Sequence, residues 1–350
     1  MLPPNEGFSP EAVGAIGLLV HRLARAGAGG IVLGRAPSGP PFPGVPFRPV
    51  QPGWGLNRIA RYVRGLARAL AELRPRLIEV HNRPEVALGL VRLGRPVSLI
   101  LNNDPQAMRG AKSPAERDAM LRQLALVMTS SDYLRGRLLE GVRDPVHQPV
   151  VLHNCIELPP APKAKRENLI LFAGRVVADK GADTFVEACA RVLPGLPGWR
   201  AEMIGADRFR PDSPDTAFIQ ALRPRAAGAG VVMRGHLPND AVLDAMQRAA
   251  IVVVPSRWQE PFGIVALEAM ACGAALVCSP RGGLPEVAGE TALYADPDRP
   301  EAVAAAIHTL ATDVGRCATL AAAGQVRARG FAAPLAAARL CELRACILAR

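Results

Sequence analysis

The chain has 350 residues, which is enough for two domains that each bury a core of their own. With 49% hydrophobic and 21% charged residues it has globular composition, and it contains no apolar run of the ~18 residues that a membrane-spanning helix needs. A net charge of +11 favours an anionic partner, whereas an aromatic content of only 4% argues against nucleic acid, whose bases stack on aromatic side chains. Because the sequence opens without a basic and apolar leader, we expect a cytoplasmic protein.

Short apolar, β-branched runs alternate with helical patterns along the first half of the sequence, which predicts a parallel sheet with crossover helices. Helices are predicted over residues 10–26 and 55–73, and the Pro- and Gly-rich stretch 37–52 is predicted to be a loop without strand pairing. The predicted strands of this half are residues 30–33, 77–80, 97–101 and 126–129.

A polar, Pro-rich segment at residues 159–168 is typical of a linker, and it separates a domain 1–160 from a domain 161–330. The strands predicted after it are continuous in apolar residues, as strands buried on both faces should be: 169–172, 201–204, 231–233, 251–254 and 275–278. Both domains are therefore expected to be doubly wound, Rossmann-like α/β domains that face each other across a cleft at the carboxyl ends of their strands.

The first motif that could bind a ligand follows the strand 169–172 and leads into a helix near Asp183. Gly174 and Gly181 allow backbone amides to approach a ligand closely, and Arg175 and Lys180 add two cations at the start of the helix. This arrangement suits a diphosphate. A solvated turn with a capping glycine explains the motif alone equally well, and the absence of a P-loop pattern argues against nucleoside triphosphate hydrolysis.

The second motif follows the strand 251–254 and leads into a helix predicted over residues 264–272, which Gly273 ends. Glu260 lies in the loop before this helix, where we expect an exposed carboxylate that accepts hydrogen bonds from sugar hydroxyls. Pro261 and Gly263 shape the turn and leave free amides at the helix start, which suits an anion.

Glu268 lies just over one turn into the same helix, among alanine, leucine and methionine residues. A carboxylate in such a setting is costly unless it is paired, and the two hydroxyls of a ribose are a suitable partner. The alternative is an ion pair with a neighbouring arginine.

The sequence gives no indication of a metal site. Seven cysteines, without Cys-x-x-Cys spacing or a His/Cys cluster, favour neither zinc nor a disulfide framework, and Cys272 and Cys278 are predicted to be small core residues. Asp296 and Asp298 form an Asp-x-Asp string, but their position before a helix predicts a helix cap.

Taken together, these motifs resemble the donor half of family 4 of the retaining glycosyltransferases, which have the GT-B fold. The resemblance rests on Gly-Arg-x-x-x-x-Lys-Gly at 174–181, on two glutamates eight residues apart at 260 and 268, and on Arg-Gly-Gly-Leu-Pro-Glu at 281–286. It covers residues 168–312 strongly. It implies that the last segment, 331–350, forms a helix that crosses back to the first domain.

The resemblance also implies roles for individual residues in binding a nucleotide-diphosphate sugar of the UDP or GDP type. Arg175 and Lys180 would hold the diphosphate and stabilise charge on it as it leaves. Glu260 would bind the transferred sugar, and Glu268 the ribose. Backbone groups complete the expected donor site, and they belong to Gly174, Gly235, Phe262, Gly263 and Ile264.

In this family the sugar is transferred with retention, and an oxygen of the leaving diphosphate helps to deprotonate the acceptor. The expected acceptor is a glycan or a lipid-linked glycan, as in polysaccharide or lipopolysaccharide biosynthesis, and no metal or other cofactor is expected. The positive charge of the chain also suits attachment to an anionic membrane surface.

The amino half resembles the family more weakly, and its acceptor-side candidates are residues that follow predicted strands or precede the first helix: Gly7, His81, Asn82, Asn102 and Asn103. Many members have a histidine where Asn102 and Asn103 stand, and asparagine cannot take a proton. A sugar-nucleotide-binding protein without efficient turnover is therefore the alternative hypothesis. Met1 and Leu2 also stand where a complete first strand is expected, which suggests either an upstream start or a trimmed sheet edge.

Overall fold

The computed structural model describes residues 1–160, 166–207 and 215–349. Its contacts divide the chain into two compact units, one formed by Met1–Glu157 with Phe331–Arg350 and the other by Leu158–Gly330. The central part of the predicted linker, residues 161–165, lies outside the described residues.

The first unit contains one four-stranded parallel sheet, one two-stranded parallel sheet and a short antiparallel hairpin. Its strands are β1 (Phe8–Ser9), β2 (Ala12–Val13), β3 (Val32–Gly34), β4 (Phe47–Pro49), β5 (Ile78–His81), β6 (Val97–Leu101), β7 (Leu126–Thr129) and β8 (Val150–Val151). β1 pairs with β2, β3 pairs with β4, and the larger sheet has the order β5-β6-β7-β8. The helices between them are α1 (Ala15–Arg25), α2 (Arg58–Leu73), α3 (Pro84–Leu90), α4 (Pro114–Gln123) and α5 (Asp132–Leu139).

Two predictions for this unit are wrong. The helix predicted over 10–26 begins only at Ala15, because the β1–β2 hairpin occupies the residues before it. The stretch 37–52 is not simply a loop, since it contains β4, in which Pro49 lies opposite Gly34. β4 has a neighbour on one side only, and such an edge strand tolerates proline because an outward N–H has no partner to lose.

Met1 and Leu2 lie between the two parallel sheets. The Leu2 N–H donates to the Leu33 carbonyl at 2.9 Å, and the His81 N–H donates to the Met1 carbonyl at 3.0 Å. These two residues thus connect β3 with β5 in the interior of the unit. Met1 and Leu2 therefore do not lie at a sheet edge.

The second unit is built around one six-stranded parallel sheet. Its strands are β9 (Glu167–Ala173), β10 (Arg200–Ile204), β11 (Val231–Gly235), β12 (Ala249–Val254), β13 (Ala275–Cys278) and β14 (Ala292–Tyr294), and their order is β11-β10-β9-β12-β13-β14. The predicted apolar runs form five of these strands, whereas β14 was not predicted. Most side chains of the five strands are buried as expected, but Val232 of β11 is exposed. The helices of the unit are α6 (Ala182–Val192), α7 (Ala217–Gly228), α8 (Asn239–Arg248), α9 (Ile264–Ala271), α10 (Leu284–Ala288), α11 (Pro300–Thr312) and α12 (Val314–Arg329).

The last helix, α13 (Ala333–Leu348), belongs to the first unit. Its Leu340 and Leu343 share an apolar cluster with Leu19 and Leu23 of α1. Its Arg344 donates two hydrogen bonds to the carboxylate of Glu79, at 2.8 and 3.1 Å. Within the described ranges, no helix combines the length and apolarity required to cross a membrane.

Candidate active site

Two loops leave the sheet of the second unit at its topological switch point. The chain runs from β9 to β10 and β11 on one side of the sheet, whereas β12, β13 and β14 lie on the other side. The loops after β9 and β12 therefore diverge from neighbouring carboxyl ends, which is where open α/β sheets bind ligands. They hold the two motifs predicted from the sequence, residues 174–181 and 255–263.

Gly181 brings these two loops into contact. It has a φ of +68°, and a Cβ at this position would lie 1.9 Å from the Pro255 carbonyl oxygen. Gly174 has a φ of +148°, and its N–H donates to the Ile204 carbonyl at 3.0 Å. Both positions therefore favour glycine through their positive φ, and at Gly181 the close approach of the Pro255 backbone requires it as well.

The centre of the site is an ion pair between the two loops. The Lys180 Nζ donates to the Glu260 Oε1 at 2.6 Å, and the two side chains are only 23% and 11% exposed. The expectation of an exposed Glu260 carboxylate is thus wrong. Backbone from a third loop covers this residue, because a Cβ on Gly282 would lie 2.2 Å from the Glu260 carbonyl oxygen, to which the Gly283 N–H donates at 2.7 Å.

Arg257 ties the two loops together, and no pattern in the sequence pointed to it. Its guanidinium donates to the Asp183 carboxylate at 2.7 and 3.1 Å, to the Thr184 hydroxyl at 2.7 Å and to the Asp298 carboxylate at 3.1 Å. Its backbone N–H donates to the Asp179 carbonyl at 2.9 Å. Arg257 therefore holds the Glu260 loop against the Lys180 loop and the first turn of α6.

The predicted helix cap at Asp296 and Asp298 is wrong. α11 has Arg299 at its N-cap without a side-chain cap, and the Asp298 carboxylate instead accepts from Arg257 at 3.1 Å and Arg281 at 2.9 Å. Two guanidinium groups each offer a full positive charge, whereas the N–H groups of a helix start offer only a partial one. In the described part of the chain, no group of three or more His, Cys, Asp or Glu side chains is arranged to hold a metal ion.

The helix α9 carries the second glutamate of the motif. Glu268 lies in its second turn with 8% of its surface exposed. Gly263 precedes the helix with a φ of +106°, and a Cβ there would lie 2.6 Å from the Leu284 side chain. Phe262 is buried, and Ile264 is the first residue of the helix. The start of α9 thus lies directly after the loop that holds Glu260.

Two further donor-side candidates lie at the ends of β9 and β11. Arg175 is exposed, and its side chain has no ion-pair partner among residues 1–160, 166–207 and 215–349. Gly235 ends β11 with a φ of +71°, and its carbonyl accepts from the Gly205 N–H at 2.8 Å. Arg175 therefore keeps its donors available to an anion.

His81, an acceptor-side candidate in the first unit, is a buried histidine at the end of β5. Its Nε2 lies 3.4 Å from the Glu79 Oε1, and only 3% of the residue is exposed. Burial lowers the pKa of His81, although Glu79 opposes this effect. Burial also acts to raise the pKa of Glu79, but hydrogen bonds from His81 and Arg344 hold it well below its usual range. These contacts favour a structural role for His81 within its own unit.

The structure brings three of the predicted asparagines together at the carboxyl ends of β5 and β6. Asn82 has a φ of +55°, and its Oδ1 accepts from the N–H groups of Asn102 and Asn103 at 3.1 Å each. The Asn102 side-chain amide is buried and has no hydrogen-bond partner within the described residues, whereas Asn103 is exposed. Gly7 lies beside the β1–β2 hairpin, where a Cβ would lie 2.0 Å from the Ala12 carbonyl oxygen.

Replacing Arg257 by alanine is expected to lower the free energy of unfolding by about 1–3 kcal/mol, because the partly buried carboxylate of Asp183 loses its charged partner. Denaturant unfolding of the whole chain measures this change. Arg191→Ala is the matched control, since Arg191 makes an exposed pair with Glu187 one helical turn away and should cost less than about 0.5 kcal/mol. Equal effects of the two substitutions would show that Arg257 does not join the loops.

Comparison with known proteins supports this description of the second unit. Residues 157–327 match the family model described as glycosyl transferases group 1. D-inositol 3-phosphate glycosyltransferase of Rhodococcus jostii is 32% identical over 174 residues, which are 47% of this chain and 37% of that protein. The match thus spans less than two fifths of this relative's length.

Solved structures show the same fold over nearly the whole chain. Sucrose-phosphate synthase of Thermosynechococcus elongatus gives a TM-score of 0.78 at 22% identity and covers 99% of this chain and 98% of its own. Anabaena HepE in complex with UDP and glucose gives 0.77 at 19% identity, with 98% of each chain covered. The protein therefore has the GT-B glycosyltransferase fold. Residues 157–327 of the second unit match the model of the glycosyl transferases group 1 family, which is the resemblance that the motifs predicted.

Proposed function

We propose that the protein transfers a sugar from a nucleotide-diphosphate sugar to a hydroxyl of a glycan or lipid-linked acceptor, with retention of configuration. The observation that carries this proposal is the Lys180–Glu260 pair at the switch point of the second sheet. It joins a cation suited to a diphosphate with a carboxylate suited to sugar hydroxyls. The structure of HepE in complex with UDP and glucose supports a donor of this kind.

In the proposed reaction the bond between the anomeric carbon and the diphosphate oxygen breaks, and the acceptor oxygen bonds to the same face of that carbon. The acceptor proton passes to an oxygen of the leaving diphosphate. Lys180 and the exposed Arg175 stabilise the negative charge that grows on this leaving group. Glu260 has two roles in this proposal. Its carboxylate holds Lys180 in position, and it also accepts hydrogen bonds from the sugar hydroxyls.

Glu268 is proposed to bind the ribose of the donor. Replacing it by glutamine or alanine is expected to weaken the binding of the nucleotide about 10–100-fold, because a charged acceptor of hydrogen bonds is lost. Calorimetric titration with UDP and GDP measures this affinity. The isosteric glutamine variant separates lost binding from lost packing, since Glu268 is buried. Unchanged affinity in both variants would refute the ribose role.

The proposed function is tested by incubating the chain with a panel of labelled UDP- and GDP-sugars and with glycan and lipid-linked acceptors. Products with a retained anomeric configuration are expected, and a metal chelator should not change their rate of formation. A sugar nucleotide that binds the folded state should also raise the melting temperature, because at a hundred times its Kd it adds about 2.7 kcal/mol to the free energy of unfolding. The proposal fails if no sugar nucleotide stabilises the fold.

A sugar-nucleotide-binding protein without efficient turnover is the second candidate. It is favoured by Asn102 and Asn103, which cannot accept a proton as a histidine would at that point of the chain. Stabilisation by a sugar nucleotide without transfer or donor hydrolysis, across all acceptors, would distinguish this function from the first. A cytoplasmic location, and a role in polysaccharide or lipopolysaccharide synthesis, remain predictions.

A further inference from the structure

The first unit exposes two large apolar side chains on one short loop. Trp54 is 81% exposed and Leu56 is 98% exposed, and no other large apolar residue of the described chain reaches the exposure of Leu56. The loop is fixed to the start of α2, because the Gly53 N–H donates to the Arg61 carbonyl at 2.8 Å and the Asn57 side chain caps the helix. The two side chains are thus held in water by an anchored backbone, at a cost in hydrophobic free energy.

A row of arginines lies beside this loop on α2. Arg58, Arg61, Arg64 and Arg68 are all exposed, and their spacing of three and four residues puts them on one face of the helix. Arg64 also supports the loop, since its Cζ lies 5.6 Å from the centre of the Trp54 ring. None of the four has an ion-pair partner among the residues that the structure describes.

The sequence around this face contains no compensating negative charge. Residues 12–71 include eight arginines and neither aspartate nor glutamate. The nearest following carboxylate, Glu72, is paired with Arg48. The face is therefore cationic as well as locally apolar, and such a combination is typical of a surface that lies on an anionic bilayer.

We propose that the Trp54–Leu56 loop and the arginine face of α2 attach the protein to an anionic membrane surface. The two apolar side chains insert at the level of the lipid headgroups, where the amphipathic indole ring is favoured. The four arginines bind the lipid phosphates beside them. This attachment would bring the first unit to a bilayer in which a lipid-linked acceptor lies, but its test does not depend on the proposed transferase activity.

Binding of the whole chain to vesicles of phosphatidylglycerol and phosphatidylcholine measures the attachment, with vesicles of phosphatidylcholine alone for comparison. Binding is expected only where the anionic lipid is present, and it should weaken as salt rises. Trp54→Ser with Leu56→Ser should lower the partition coefficient about tenfold or more. The tryptophan fluorescence of the chain should shift to the blue on binding, because Trp54 moves from water into the bilayer. The shift should vanish in this variant, which lacks Trp54, because Trp258 is less exposed than Trp54 and is not proposed to insert.

The contribution of charge is tested by changing Arg58, Arg61 and Arg68 to glutamine, which leaves Arg64 in place to support Trp54. Binding should fall about 100-fold, since each basic residue near an anionic surface contributes about fivefold.

A triple glutamine variant at Arg92, Arg95 and Arg329 is the matched control, because these arginines are exposed, form no ion pair within the described residues, and change the net charge equally when lost. Equal loss of binding in the two triple variants would overturn the proposal in favour of non-specific attraction by net charge.

Vesicle binding that survives the loss of Trp54 and Leu56 but is displaced by an oligonucleotide would assign the face to nucleic acid. Displacement by inorganic phosphate would assign it to a free anion. Melting curves of every variant show whether the fold is intact.

Discussion

Replacing Glu260 by alanine is expected to lower the rate of sugar transfer about 100- to 1000-fold, while the affinity for the nucleotide alone stays within about tenfold of its original value. The carboxylate is lost from the position proposed to hold the sugar, and Lys180 loses the partner that fixes its ammonium group 2.6 Å away. The nucleotide diphosphate gains free access to Lys180, so its binding should not weaken much. Steady-state rates with a saturating sugar nucleotide, together with calorimetric titration of the nucleotide, measure the two effects.

The control for this prediction is Glu187→Ala, which removes a carboxylate from an exposed helix face of the same unit. It should change neither rate nor affinity. If Glu260→Ala reduces rate and nucleotide affinity by the same large factor, the assignment of Glu260 to the sugar is contradicted. Lys180→Met should show the opposite bias, because it removes a cation proposed to hold the diphosphate itself.

Replacing Gly181 by alanine is expected to lower the free energy of unfolding by several kcal/mol and to abolish nucleotide binding. Alanine would have to adopt a φ of +68°, and its Cβ would lie 1.9 Å from the Pro255 carbonyl oxygen, so the Lys180 and Glu260 loops must separate. Left-handed backbone alone costs an L-residue about 1–2 kcal/mol. Denaturant unfolding and nucleotide titration together measure the result.

Gly198→Ala isolates the backbone contribution. Gly198 has a φ of +79°, but a Cβ added there would meet nothing within 4 Å, so its replacement should cost only the conformational strain and leave nucleotide binding unchanged. Similar losses of stability and binding in the two variants would mean that the contact between the loops is not what Gly181 provides.

Local pattern was sufficient to predict β9, β10, β12 and β13, since each contains a continuous apolar run whose residues are mostly buried on both faces. It also predicted β11, although Val232 of that strand is exposed, and it did not predict the short edge strand β14. It was insufficient for β4. The prolines of 37–52 predicted a loop, because proline cannot donate to a ladder, but β4 pairs along one edge only and tolerates it. It also failed for Asp298, whose carboxylate binds Arg257 from 41 residues away instead of capping the adjacent helix. Arg257 carried no local signal, because its other carboxylate partner, Asp183, lies 74 residues away.

The glycine-containing turn at 174–181 and the pair of glutamates at 260 and 268 could be predicted from the amino-acid sequence, because each depends on residue types and spacings within one short segment. The α/β class could be predicted as well, because it follows from the alternation of such local patterns along the chain. How these segments meet follows from the three-dimensional fold alone. The order of the second sheet sets β9 beside β12, and this brings Lys180 to Glu260 across 80 residues of chain. A charged pair buried at such a separation depends on strand order and loop contact, which no local pattern encodes.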